Sequence, residues 1–181
     1  QMCIRDRITA DDIANIAIAT YGPAVSITDR IDPKTPQECK FSMQYVLAHA
    51  AHYGSVRIEA FEAERMSDPA IQAMLGQIDL SIDPAVDAEF PARRAAHVTI
   101  TTKDGRQLTH YQPTRKGDPD LPLTDDELDA KFIELANPVL GNELTNSLLQ
   151  KLWQLDEISL ATALDFTVLT GNHTAGKNLP N

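Results

Sequence analysis

Apolar and polar residues alternate along 13–20, with Ile16 and Ile18 on one side and Asn15, Ala17 and Ala19 on the other. They alternate again along 78–82, Ile-Asp-Leu-Ser-Ile. A period of two predicts half-buried strands in both places. Residues 96–102 read as a third strand and 107–114 as its return strand. Lys103-Asp104-Gly105-Arg106 between them predicts a hairpin turn, because Asp-Gly supplies the positive φ such turns need.

Segment 35–54, TPQECKFSMQYVLAHAAHYG, has a different pattern. It predicts one helix with Thr35 as N-cap, Pro36 at the first position, Glu38 closing a capping box and Gly54 as the stop. Apolar residues run nearly all the way round it, which predicts a buried helix. Yet it carries Lys40, Ser42, Gln44, Tyr45, His49 and His52. At about 100° per residue Ser42, Tyr45, His49 and His52 form a stripe opposite Met43, Val46, Leu47 and Ala50. Buried polar groups need partners, so either the fold satisfies the stripe or part of it faces a site. Lys40 falls in the predicted first turn, where a cation opposes the helix dipole.

Further helices are predicted over 56–64 and 69–77, the second started by Ser67-Asp68-Pro69. Thr124 and Glu127 form another capping box, and Asn137-Pro138 is the expected end of that helix. Residues 143–153 are amphipathic, and 158–169 read as a last helix. Residues 21–33 read as a connection with a short extended piece near 25–28; 83–91 and 115–123 read as loops. Residues 1–7 do not join the pattern and read as a foreign or truncated leader, and 171–181 as a disordered tail. Strands and helices in separate runs predict an α+β fold. It would be a two-layer sandwich with a small, mainly antiparallel sheet over 8–140, then helices of a second domain over 141–170.

The 181 residues carry a net charge of −10. Phosphate contacts need clustered Lys and Arg, so nucleic acid is an unsuitable partner. Arg93-Arg94 and Arg115-Lys116 are the short basic groups, and the second sits in a tight loop where an anion or plain solvent could meet it. Two cysteines give neither a disulfide framework nor metal-ligand spacing, and a cytoplasmic setting is the default expectation. No run of 18 apolar residues suggests a membrane span. Phosphate-binding glycine loops, HExxH and GxSxG are absent from the sequence. His49 and His52 lack a third zinc ligand nearby.

Pro33, Thr35, Glu38, Lys40, Phe41, Ser42, Tyr45, Val46 and Ala48 keep the spacing P-x-T-x-x-E-x-K-F-S-x-x-Y-V-x-A. That run resembles the signature of the MmgE/PrpD family, which includes 2-methylcitrate dehydratase, cis-aconitate decarboxylase and iminodisuccinate epimerase. Gly54-Ser55-Val56, Ser67-Asp68-Pro69, the 102–106 hairpin, Gly117-Asp118-Pro119 and Asp129-Ala130-Lys131-Phe132 follow in register. The resemblance implies cofactor-independent proton abstraction beside a carboxylate of a di- or tricarboxylate, most simply water elimination by a hydro-lyase. Decarboxylation or epimerisation is the alternative. It also implies a homodimer and a preceding all-helical domain with a Lys-x-x-Pro segment and a following His. Our chain starts after such a segment, so it reads as a C-terminal part, inactive alone, whose last helices would pack on that domain. On this view Tyr45 and His49 are candidate catalytic residues, and Lys40, Ser42, Gln44, Arg115 and Lys116 candidate substrate contacts. Tyr21 is the only tyrosine between the first strand and the signature helix, and no role follows for it. The competing reading is a structural, dimerising domain with the stripe satisfied inside.

Overall fold

The computed structural model describes residues 8–157. They divide into two compact units between Leu121 and Pro122. The first holds four strands, β1 (Ile13–Thr20), β2 (Ile78–Ile82), β3 (Ala96–Thr102) and β4 (Gln107–Gln112). They form one sheet in the order β2-β1-β3-β4. β1 and β2 are parallel, while β1–β3 and β3–β4 are antiparallel. With the helices among the described residues, this is the expected α+β fold with a mainly antiparallel sheet.

β1 is central because it can bury one whole row. Ile13, Ile16, Ile18 and Thr20 are buried, and the three isoleucines pack in a core with Tyr45, Ala48, Ile71, Met74, Leu75, Ile78 and Ile100. The β3–β4 hairpin turns through Gly105 at φ 86°, and the Thr102 amide donates the closing backbone bond to Arg106 O at 2.9 Å.

The helices of this unit are α1 (Gly22–Thr28), α2 (Pro36–Lys40), α3 (Met43–Tyr53), α4 (Ala63–Met66), α5 (Pro69–Leu75) and α6 (Pro84–Ala88). Several differ from expectation. The stretch at 25–28 is helical, not extended: Gly22-Pro23 opens α1, and seven residues are too few to show a helical period. Residues 83–91 are not all loop, since Asp83 accepts from the amides of Ala85 and Val86 and starts α6. In place of one helix over 56–64 there is a 3₁₀ turn, Ile58–Phe61, and α4 begins at Ala63.

The predicted long helix is two helices. Ser42 interrupts it: its backbone is extended, its Oγ accepts the Tyr45 amide at 3.0 Å, and it caps α3. Lys40 therefore lies in the last turn of α2, where the dipole favours a cation, not in a first turn where it would be opposed. Gly54, at φ 77°, ends α3 as expected.

The second unit contains α7 (Asp125–Leu140) and α8 (Asn142–Trp153) joined at Gly141, φ 76°. Thr124 and Glu127 form the predicted capping box. Pro138 does not end α7: the Gly141 amide reaches Asn137 O at 2.9 Å and completes the turn around the missing donor. Trp153 Nε1 donates to Asp129 Oδ1 at 2.6 Å and ties α8 to α7. Val139, Leu144 and Trp153 are 70 %, 44 % and 48 % exposed, and Leu148 is half-buried. The helix expected at 158–169, Leu164 within it, and the tail at 171–181 lie outside the described residues. Among the described residues no helix is long and apolar enough to cross a membrane.

Candidate functional site

Two places in the first unit collect the chemistry. The first is the α3 stripe. Its polar side is the buried side, and the fold supplies most of its partners. Ser42 Oγ donates to Arg30 O at 2.6 Å. Gln44 Nε2 donates to Asp29 Oδ1 at 2.6 Å, and its Oε1 accepts from the Arg30 amide at 3.2 Å. The Tyr45 hydroxyl donates to Ala60 O. His49 Nδ1 lies 2.9 Å from Ser55 O, an acceptor, so this nitrogen carries the hydrogen.

Nε2 of His49 and Nε2 of His52 are buried and have no hydrogen-bond partner among the described residues. The His49 ring packs against Tyr53 at 4.8 Å and Tyr45 at 6.3 Å. Burial pushes the Tyr45 phenol up to about 12, so it holds its proton through the neutral range. Tyr53, absent from the sequence-level candidates, donates to Asp68, with the Arg65 guanidinium 4.0 Å from its ring. That hydrogen bond raises Tyr53 and lowers Asp68. Lys40 is exposed, with Nζ 5.5 Å from the Phe61 ring. Burial raises the free Cys39 thiol and keeps it unreactive.

The second place follows from register. Thr20 pairs with Ile82 and with Ala96, and Ala96 pairs with Gln112. The ends of β1, β2 and β4 and the start of β3 therefore share one end of the sheet. Tyr21, Phe90, Arg93, Arg94 and the 113–120 loop gather there. Gly22 N donates to Asp87 Oδ1 at 2.7 Å, tying the start of α1 to α6. Tyr21 stacks on Phe90 at 4.9 Å, and the Arg94 guanidinium lies 5.9 Å from the same Phe90 ring. A cavity of about 470 Å³ opens beside them, walled by 91–94 on one side and by 113, 114 and 118–120 on the other.

Arg115 belongs to this loop but is engaged. Its Nη2 and Nε reach the two oxygens of Asp118 at 2.7 and 3.2 Å, while Thr114 Oγ1 donates to Asp118 Oδ2 at 3.1 Å. The Arg115 contact holds Asp118 below the usual carboxylate range and raises Arg115. Lys116 follows it in the same exposed loop.

The seven residues singled out in the sequence thus fall into two sets. Ser42, Tyr45 and His49 lie on the stripe and Gln44, also buried, lies off it, with Lys40 nearby beyond Phe61. Arg115 and Lys116 stand at the sheet end. Helix α1 runs from Tyr21 at the sheet end to Asp29 at the stripe, about 10 Å by its length. Arg94 was noted only as half of a short basic pair. The signal that could have raised it was the register of four strands, which brings 94 beside 113–120. Among the described residues no cluster of His, Cys, Asp and Glu has the makings of a metal site.

The profile of the MmgE/PrpD C-terminal domain matches residues 2–155. A cis-aconitate decarboxylase from Mus musculus is 28 % identical over 86 % of the chain, and one from Homo sapiens 25 % over 82 %. A 2-methylcitrate dehydratase from Cupriavidus necator is 32 % identical over 55 % of the chain. The aligned parts cover 32 %, 31 % and 22 % of those proteins, so the chain spans a third or less of each.

Proposed function

Because the chain belongs to the MmgE/PrpD family through its C-terminal domain, we propose that it is the C-terminal part of a lyase acting on a di- or tricarboxylate. The favoured reaction is water elimination from a 2-methylcitrate-like hydroxy acid. A base removes the proton beside a carboxylate, the C–O bond of the neighbouring carbon breaks, a C=C bond forms and water leaves. Charge builds on that carboxylate as the proton departs, so a cation or donor beside it lowers the barrier. The observation that carries the reading is the family match across nearly all the described residues, with a dehydratase and two decarboxylases among the relatives. Decarboxylation of a similar acid is the second reading, favoured by the wider coverage of the decarboxylase matches.

Within that enzyme the chain supplies one wall of the cleft and the full-length protein supplies the principal acid and base. Tyr45 and His49 stand nearest to such chemistry on α3. The internal bonds of Ser42, Gln44, Tyr45 and His49 favour a supporting role for the stripe, holding α3 against 29–30, 55 and 60. The test compares this chain and the full-length protein for water loss from 2-methylcitrate and CO₂ release from cis-aconitate. Turnover of one acid by the full-length protein, and none by the chain alone, is expected. Turnover of neither would sink the lyase reading. Tyr45→Phe in the full-length protein separates the two roles: a loss in kcat of about a hundredfold marks an acid or base, whereas lost stability with kcat retained marks support.

A further inference from the structure

We propose that the cavity at the sheet end is a carboxylate-binding site in which Arg94 is the anchoring cation. That the ligand is a di- or tricarboxylate rests on the lyase reading above; that it is an anion rests on the cavity. A volume of about 470 Å³ lies in the range of small-ligand sites. Pro91, Pro113 and Pro119 line it, and their fixed φ makes the walls stiff.

The charges around it are unequal in what they leave free. Asp118 has both oxygens occupied by Arg115 and Thr114. Arg93 has Glu89 at 3.7 Å, one turn back. Arg94 is half-buried and has no carboxylate contact among the described residues. It rests on Phe90, which is itself stacked on Tyr21. The guanidinium thus lies 5.9 Å from the centre of a ring that is itself stacked, and among the described residues it has no carboxylate partner. A planar fork in that state suits bidentate pairing with a carboxylate. Asp120 also lines the cavity and opposes a second negative charge on its side, which favours binding one carboxylate of the acid there over engulfing all of them.

The probe is tricarballylate, a tricarboxylate without a hydroxyl, titrated into the ¹⁵N-labelled 181-residue chain at low salt, with its trimethyl ester as the neutral control. Saturable shifts at the amides of Arg93, Arg94 and Thr114 are expected with the acid and not with the ester. Arg94→Gln should weaken binding at least about tenfold, as losing a charged hydrogen-bond pair does. Arg94→Lys, which keeps the charge without the fork, should weaken it several-fold, and it covers the case in which the Gln variant does not fold. Arg93→Gln should stay within about twofold. Equal affinity in the wild type and either Arg94 variant, or shifts spread evenly over the surface, overturns the site. Arg94-dependent binding in a protein whose full-length form turns over neither acid leaves the site standing and removes the lyase reading. Turnover with no Arg94-dependent binding does the reverse.

Discussion

Tyr45 shows how one side chain serves both packing and charge. Its ring is in the core and its hydroxyl meets Ala60 O, so Tyr45→Phe strands a buried carbonyl. A loss of about 1–3 kcal/mol is expected in urea unfolding. The phenol also sets an alkaline limit. Its folded value, about 12, lies above the ordinary 10.0. Its contribution is whole below pH 10 and is lost between pH 10 and about 12, where the unfolded chain gives up the proton and the folded one keeps it. Tyr45→Phe should flatten that part of the stability curve; Tyr53, shifted the same way, keeps a residual slope. A curve unchanged by the substitution would contradict the assignment. In the acid direction Asp118, lowered by Arg115, should release the loop as pH falls through its depressed range, visible as lost ¹⁵N order at 114–118.

At the scale of elements the joint at Ser42 carries most. It caps α3 and holds Arg30 O, so Ser42→Ala is expected to cost about 1–3 kcal/mol. Gly54→Ala should cost about 1–2 kcal/mol through its left-handed backbone alone, since no atom lies within 4 Å of the added methyl. Thermal or urea melts measure both. Strands were legible because alternation around Ile16, Ile18 and Leu80 reports one-sided burial directly. Capping boxes at Thr35 and Thr124 were legible because they are local. The break at Ser42 was not, because Ser42 reads equally well as a helix residue until Arg30 O comes within reach from a distant loop. The same Asp-Pro start predicts a helix at Asp68, whereas at Asp83 the acidic stretch with Pro84 and Pro91 reads as a loop. Of the polar residues on α3, the sequence revealed the types; only the fold reveals that their partners come from 29, 30, 55 and 60. The sheet-end cavity was hidden for a related reason, since its walls come from segments that strand register alone brings together.

For the molecule as a whole, the exposed apolar side chains of Val139, Leu144, Leu152 and Trp153 are expected to seek cover. The 181-residue chain should enhance the fluorescence of a hydrophobic dye, and Leu144→Lys with Leu152→Lys should reduce it; a chain with no enhancement would count against open apolar surface. The central place of β1 has another outcome, in time. β3 and β4 are joined by a short turn and can zip as soon as both exist. β1 precedes the other three strands in the chain yet is expected to pair last, because Ile16 waits for Ile78 and Ile100 and closing longer loops costs more entropy. Until then Ile13–Thr20, uncharged and strand-prone, leaves the ribosome with both edges open. In pulse-labelled refolding, amides of the β3–β4 ladder should gain protection before those of β1–β2. A chaperone that shields nascent β1 should raise the yield of folded chain more than one acting after β3 has emerged.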